Sequence, residues 1–179
     1  TNPVSGSPAS ARVQVYVVTA FLAAFVVSLF EDTIAQVVVL AAFLPVLAGQ
    51  SGNTGCQSLA VTIRALTLDE FKPGVFRQVL AKETLLGTLN GAIVGLVAGI
   101  AMIAYAIHAG AAEPVTLGLV VFLAMTGACV ASGMTGVLVP VTLQRLGADP
   151  ATASSIFLTT ATDVVSMGLF LWLASLLVL

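Results

Sequence analysis

Between Ala151 and Leu179 the sequence holds one charged residue, Asp163, and four other apolar stretches of spanning length come before it, over 13–30, 34–66, 85–107 and 115–143. Charges cluster at their ends: Arg12 and Glu31-Asp32 around the first, Arg64 near the close of the second, Lys82 and Glu83 ahead of the third, Glu113 and Arg145 around the fourth. A charge in hydrocarbon costs a few kcal/mol, so charges placed this way mark helix ends at membrane surfaces. At roughly 20 residues per spanning helix, the pattern predicts an all-α integral membrane protein of five transmembrane helices. Only 8% of the residues are charged and the mean hydropathy is +1.11, against roughly 25% charged in soluble domains, which excludes a soluble globular protein. The loops are too short for a second domain, so residues 12–179 form one bundle, and residues 1–11, rich in Ser, Pro and Ala, are expected to be a disordered start or the edge of a longer protein. A net charge of −2 leaves no basic footprint for nucleic acid. Cys56 and Cys129 have no metal-ligand spacing and are expected to be small, free, buried thiols.

Five spans divide the charges sharply. One side carries Arg12, Arg64, Lys72, Arg77, Lys82 and Arg145, every basic residue of the chain, while the other carries Glu31, Asp32, His108 and Glu113. By the positive-inside rule the N-terminus is cytoplasmic and the C-terminus outside, in the cell (inner) membrane.

Two spans contain glycine-rich polar stretches, Gly49-Gln50-Ser51-Gly52-Asn53-Thr54-Gly55 in the second and Ser132-Gly133-Met134-Thr135-Gly136, with Pro140, in the fourth. These predict helices interrupted near mid-membrane, where freed backbone groups are tolerated only inside protein or along a water-filled cavity. The pattern Ser-Gly-x-Thr-Gly, followed nine positions on by Arg, occurs at 51–64 and again 81 positions later at 132–145, which is compatible with a parallel internal repeat. Close packing of small residues would account for Gly49, Gly52 and Gly55. It does not account for Gln50, Asn53, Thr54, Gln57 and Ser58 beside them, which favour an ion or water pathway.

Asp163 lies too deep in its span to reach the interface, and an intramembrane carboxylate is a functional-site hypothesis by default. Helical steps of three and four place Thr152, Ser155, Thr159, Asp163 and Ser166 or Met167 on one stripe. No basic residue is available at that depth, so a mobile cation is the natural counter-charge. Carboxylate, amide, hydroxyl and carbonyl oxygens suit Mg²⁺, Ca²⁺ or Mn²⁺ better than Zn²⁺ or Cu⁺. One carboxylate is too few to strip Mg²⁺ of its water, so the ion would be held largely hydrated, more readily if a two-fold partner supplied a second Asp163.

The run from Phe43 through Pro45, Gly49, Gly52, Asn53, Gly55 and Ser58, together with Arg64, resembles the second transmembrane helix of the MgtE family of magnesium channels; Asp149-Pro150-Ala151 and Thr159-Thr160-Ala161-Thr162-Asp163-Val164 resemble its fifth. The resemblance implies a homodimer of five-helix subunits passing Mg²⁺ down its electrochemical gradient through a pore on the two-fold axis. By position it implies that Asp163 faces the hydrated ion, that Gly49, Gly52 and Asn53 line the path, and that Asp149 opens the fifth helix. Ser155 falls where an Asn can help ligate, Cys56 where a small polar residue such as Asn is common, and Ser51 replaces the first Gly of Gly-Gly-Asn; these departures bear on selectivity among Mg²⁺, Mn²⁺ and Ca²⁺. Thr54, Gln57 and Thr159 complete the expected lining. Family members usually carry an acidic cytoplasmic domain and paired CBS domains; nothing before Arg12 matches either, so the expectation is a pore domain without Mg²⁺-dependent closure.

Two rival readings have weaker support in the residues. Gly49-Gln50-Ser51-Gly52 spells the GxSG of rhomboid-type proteases, but the sole His, His108, falls outside the membrane, beyond reach of Ser51, so an enzyme is not expected. A proton- or sodium-coupled secondary transporter of divalent cations such as Mn²⁺ would also use a lone membrane carboxylate.

Overall fold

A computed structural model describes the backbone of residues 8–70 and 74–179, and the side chains of these apart from residues 8–16, 152 and 153. The described residues are helical with short connections: α1 (Pro8–Ser28), α2 (Glu31–Gln36), a 3₁₀ helix (Val38–Phe43), α3 (Leu44–Thr67), α4 (Val75–His108), α5 (Pro114–Arg145) and α6 (Pro150–Leu177). Three of them, Val75–His108, Pro114–Arg145 and Ser154–Leu177, are long and apolar enough to cross a membrane by length and composition.

The central helix is α5, which packs against α3, α4 and α6. Its buried residues recur in adjacent pairs every three or four residues, from Leu117-Gly118 and Val120-Val121 through Ala124-Met125 and Ala128-Cys129 to Gly136-Val137 and Pro140-Val141, a broad stripe, while Leu119, Leu123 and Leu138 stay exposed on the other side. Its contact with α4 is built from backbone. Gly87, Gly91, Gly95 and Gly99 recur every fourth residue along α4, and a Cβ on each would lie within 2.6–3.0 Å of backbone atoms of Cys129, Thr126, Phe122 and Gly118 in turn. One series rises as the other falls, so the helices are antiparallel. The opposite face of α4 exposes Leu85, Leu89, Ile93, Leu96, Val97 and Ile100. Glycine inside and leucine outside suits a lipid solvent, where apolar side chains gain nothing from burial and close backbone approach supplies the attraction.

Four sequence expectations are corrected. First, the second and fourth spans are not interrupted at their glycine-rich stretches: α3 runs unbroken through 49–55, and α5 through 132–136 and Pro140. The hydroxyls there bond to carbonyls already within reach, as Ser51 Oγ does to Ala48 O at 3.1 Å and Thr135 Oγ1 to Ala131 O at 2.7 Å, so they do not open the ladder. The discontinuity in residues 34–66 lies upstream, at Val37 and the 3₁₀ helix. Pro45 lacks an N–H and its ring would clash with the carbonyl four residues before it, so an α-helix restarts with Pro45 in its first turn.

Second, α4 begins at Val75, well inside the expected 67–84 connection, and buries Glu83 on the glycine face. Lys72 lies outside the described residues. Third, Cys56 is exposed, and only Cys129 is buried. Fourth, α1 already includes residues 8–11, while the rest of the expected disordered start, residues 1–7, lies outside the described residues.

The matched Ser-Gly-x-Thr-Gly stretches meet. A Cβ on Gly136 would lie 2.7 Å from Gly55 O, and Ser58 Oγ donates to Gly133 O at 2.8 Å. The equivalent glycines Gly55 and Gly136 thus meet at the α3–α5 crossing. At one end of the bundle Arg145 lies over the Phe76 ring, 5.9 Å from its centroid; at the other, Gln36, Ala109, Glu113 and Val178 surround a cavity of about 400 Å³. The basic ends of α4 and α5 therefore gather opposite the end that carries Glu113.

Candidate ion pathway

α3 has two polar faces that do different things. Ser51, Thr54, Gly55, Ser58 and Thr62 are buried toward α5 and α6. Their hydroxyls bond to carbonyls, as with Thr62 Oγ1 to Ser58 O at 2.9 Å, and Gly55 sits where a Cβ would press on Leu158 and Thr162 of α6 at 3.0 and 3.2 Å. Gly49, Asn53, Cys56, Gln57 and Ala60 return at steps of three and four on the opposite, exposed face. A Cβ at Gly49 or at Gly52 would meet nothing within 4 Å, so neither glycine is required for packing within the chain.

Beside this face lies a cavity of about 430 Å³ lined by Gln50, Asn53, Thr54, Cys56, Gln57, Ala60 and Asn90. Its inner edge is a three-helix junction. Asn90 Nδ2 of α4 donates to Thr54 Oγ1 at 2.8 Å, and the Thr54 hydroxyl points to Gln50 O at 3.2 Å and Cys129 Sγ of α5 at 3.6 Å. Asn53 and Gln57 make no side-chain hydrogen bond among the described residues. Carboxamides in hydrocarbon without partners cost about 4–8 kcal/mol each, so this face calls for water, an ion or another protein surface.

On α6, Ser155, Thr159 and Asp163 stand four residues apart, Ser155 exposed and the other two half-buried. The adjacent row, Ser154, Leu158, Thr162 and Ser166, is buried, with Leu158 and Thr162 against Gly55. Ser166 therefore belongs to the packing row and half-buried Met167 to the open side; the Thr152 side chain lies outside the described residues. Thr159 Oγ1 donates to Ser155 O at 3.0 Å, leaving its oxygen as an acceptor. The Asp163 carboxylate has no ion pair and no hydrogen bond among the described residues.

Asp149 sits apart. It caps α6, its Oδ1 accepting from Ala151 N at 3.0 Å, and at 1.5 Å per helical residue it lies about 21 Å along the axis from Asp163. The two carboxylates cannot hold one ion between them. Among the described residues no group of three or more His, Cys, Asp and Glu side chains could enclose a metal. Ser51 is buried, its hydroxyl bonded to its own helix, while His108 is exposed in the last turn of α4; no serine–histidine pair forms. Of the polar residues around the cavity, Asn90 is the one that sequence reading missed. Its signal was an amide inside an otherwise apolar span.

Residues 44–173 match the family model MgtE, described as a divalent cation transporter. The chain is 33% identical over 153 residues to a magnesium transporter MgtE of Enterococcus faecalis, covering 86% of this chain and 32% of that protein. It is 33% identical over 150 residues to one of Bacillus subtilis, covering 84% and 32%, and 31% identical over 168 residues to one of Thermus thermophilus, covering 91% and 35%. It thus spans about a third of the length of the curated relatives it matches. With the family model covering most of its length, the chain belongs to the MgtE family of divalent cation transporters.

Proposed function

We propose that this chain is the membrane pore of a divalent cation transporter, moving largely hydrated Mg²⁺ down its electrochemical gradient between two copies of itself. The observation that carries this reading is the uncovered face of α3, where Gly49, Asn53, Cys56 and Gln57 are exposed and a Cβ at Gly49 or Gly52 would meet nothing within 4 Å. In lipid such a face is costly; against a second copy across a water-filled path it becomes an asset. Asp163 is the ion-facing carboxylate, with Ser155, Thr159 and Thr54 adding oxygen acceptors and Asp149 standing at the mouth of the path. Glycines at 49 and 52 keep the path wide enough for an ion that retains its water, which Mg²⁺ gives up reluctantly. α1, α3, α4, α5 and α6 cross the cell membrane, with the basic ends of α4 and α5 on the cytoplasmic side. The magnesium named in the relatives' descriptions supports Mg²⁺ as cargo, and the oxygen ligands leave Mn²⁺ and Ca²⁺ as competitors.

The test is divalent flux into proteoliposomes for the parent, Asp163→Ala and Asp163→Asn. Downhill Mg²⁺ entry that both substitutions reduce by about tenfold or more, the scale of losing one charged ligand, is the expected result. Unchanged flux in both variants overturns the assignment, and uptake against a gradient driven by pH or Na⁺ identifies a coupled transporter instead.

A further inference from the structure

The polar cavity beside α3 has one wall that α3 does not supply. Asn90 comes from α4, where its neighbours at helical steps are the exposed Leu86, Leu89 and Ile93 and the packed Gly87 and Gly91. An amide in such a span is expensive unless it is used. Half of it is accounted for: Nδ2 donates to Thr54 Oγ1 at 2.8 Å. The Thr54 hydroxyl proton has its own acceptor in Gln50 O at 3.2 Å, so Thr54 does not depend on Asn90 for satisfaction. With Nδ2 held there, Asn90 Oδ1 is an acceptor without a partner among the described residues, and the residue lines the same cavity as Gln50, Asn53 and Gln57.

We propose that Asn90 is an ion-facing residue contributed by a third helix: Thr54 fixes its amide so that Oδ1 accepts hydrogen bonds from the hydration water of the passing divalent cation. The inference rests on the reading of the α3 face as the ion path and adds a specificity-determining oxygen to it. Water-mediated contacts of this kind hold an ion without stripping it.

Two substitutions separate this role from simple anchoring. Asn90→Leu removes both the donor to Thr54 and the oxygen; Asn90→Asp removes the amide donor but keeps an oxygen, now charged, at this position, where the Thr54 hydroxyl can turn its proton from Gln50 O to hold it. In proteoliposomes loaded with a Mg²⁺-sensitive dye, Asn90→Leu is expected to lower Mg²⁺ flux about tenfold, the upper end of what one lost hydrogen bond is worth. Asn90→Asp is expected to keep flux within about twofold of the parent and to lower the half-saturating Mg²⁺ concentration about threefold or more, because a carboxylate attracts a divalent ion across the cavity. A parent-like Asn90→Leu overturns the proposal, and so does an Asn90→Asp as impaired as Asn90→Leu with an unmoved half-saturation, which is the signature of an anchor alone. Asp163→Asn measured alongside keeps the two claims apart. Flux that responds to Asp163 but not to Asn90 sinks only this inference, whereas flux indifferent to both sinks the pathway reading beneath it.

Discussion

α3 and α4 both carry rows of small residues, and the rows do opposite work. Gly87, Gly91, Gly95 and Gly99 are occupied sites: a Cβ on any of them runs into the backbone of α5. Gly49 and Gly52 are open sites, where a Cβ meets nothing within 4 Å. Identical residue chemistry therefore gives adhesion along α4 and clearance at these two positions of α3. What differs is the company kept. The α4 glycines are flanked on the outer face by leucine, isoleucine and valine, which suit lipid, while Gly49 and Gly52 stand among Asn53, Cys56 and Gln57, which call for water.

The sharpest way to break this contrast is at Gly91, where a Cβ would lie 2.8 Å from Thr126 Cα and 2.9 Å from Cys129 Cβ. Gly91→Val is expected to destabilise the bundle by about 3 kcal/mol or more, since backbone cannot step aside as a side-chain tip can. Thermal unfolding in detergent measures it, and a parent-like melting temperature would show that the α4–α5 contact is looser than described. Gly52→Val is the counterpart. Stability should stay within about 0.5 kcal/mol of the parent, while Mg²⁺ flux falls by about an order of magnitude as the new side chain displaces hydration water from the path. Unimpaired flux with intact folding would make Gly52 an ordinary lipid-facing residue.

The smallest expected effect concerns the two rows of α6. Ser154 is fully buried and its Oγ has no hydrogen-bond partner among the described residues. Removing that hydroxyl in Ser154→Ala should raise stability by about 1 kcal/mol, the lower end of the cost of an unsatisfied buried polar group, and leave Mg²⁺ flux alone. A loss of flux would place Ser154 with Ser155 and Asp163 on the open side.

Much of this contrast was legible in the sequence. The α3 polar cluster, the lone Asp163 and the segregation of basic residues follow from residue type and spacing, because charges and amides are so costly in lipid that their positions are constrained. The α4 row was legible too, since glycines at 87, 91, 95 and 99 share one helix face; reading glycine chiefly as a helix breaker hides it. That habit also produced the expected interruptions in α3 and α5. Glycine and proline propensities measured in water do not govern a helix held on several sides by its neighbours, and Gly136 lets α5 touch the Gly55 backbone. Asn90 escaped because its significance lies in a partner 36 positions away, and no local pattern announces such a meeting. Cys56 escaped for a related reason. Exposure depends on which face of α3 the other helices leave uncovered, and that is a property of the assembled bundle.

Cys56 and Cys129 offer the most direct test of the claim that the α3 face is an aqueous path. Cys56 lines the polar cavity and is exposed, while Cys129 is buried behind Thr54. In protein reconstituted into lipid vesicles, a charged, membrane-impermeant thiol reagent is expected to modify Cys56, leave Cys129 unmodified, and stop Mg²⁺ flux, with saturating Mg²⁺ slowing the reaction; Cys56→Ser should abolish both modification and block. A Cys56 that stays unreactive in the bilayer while Mg²⁺ flux continues would contradict the account, because its thiol would then face lipid and the ion would travel elsewhere.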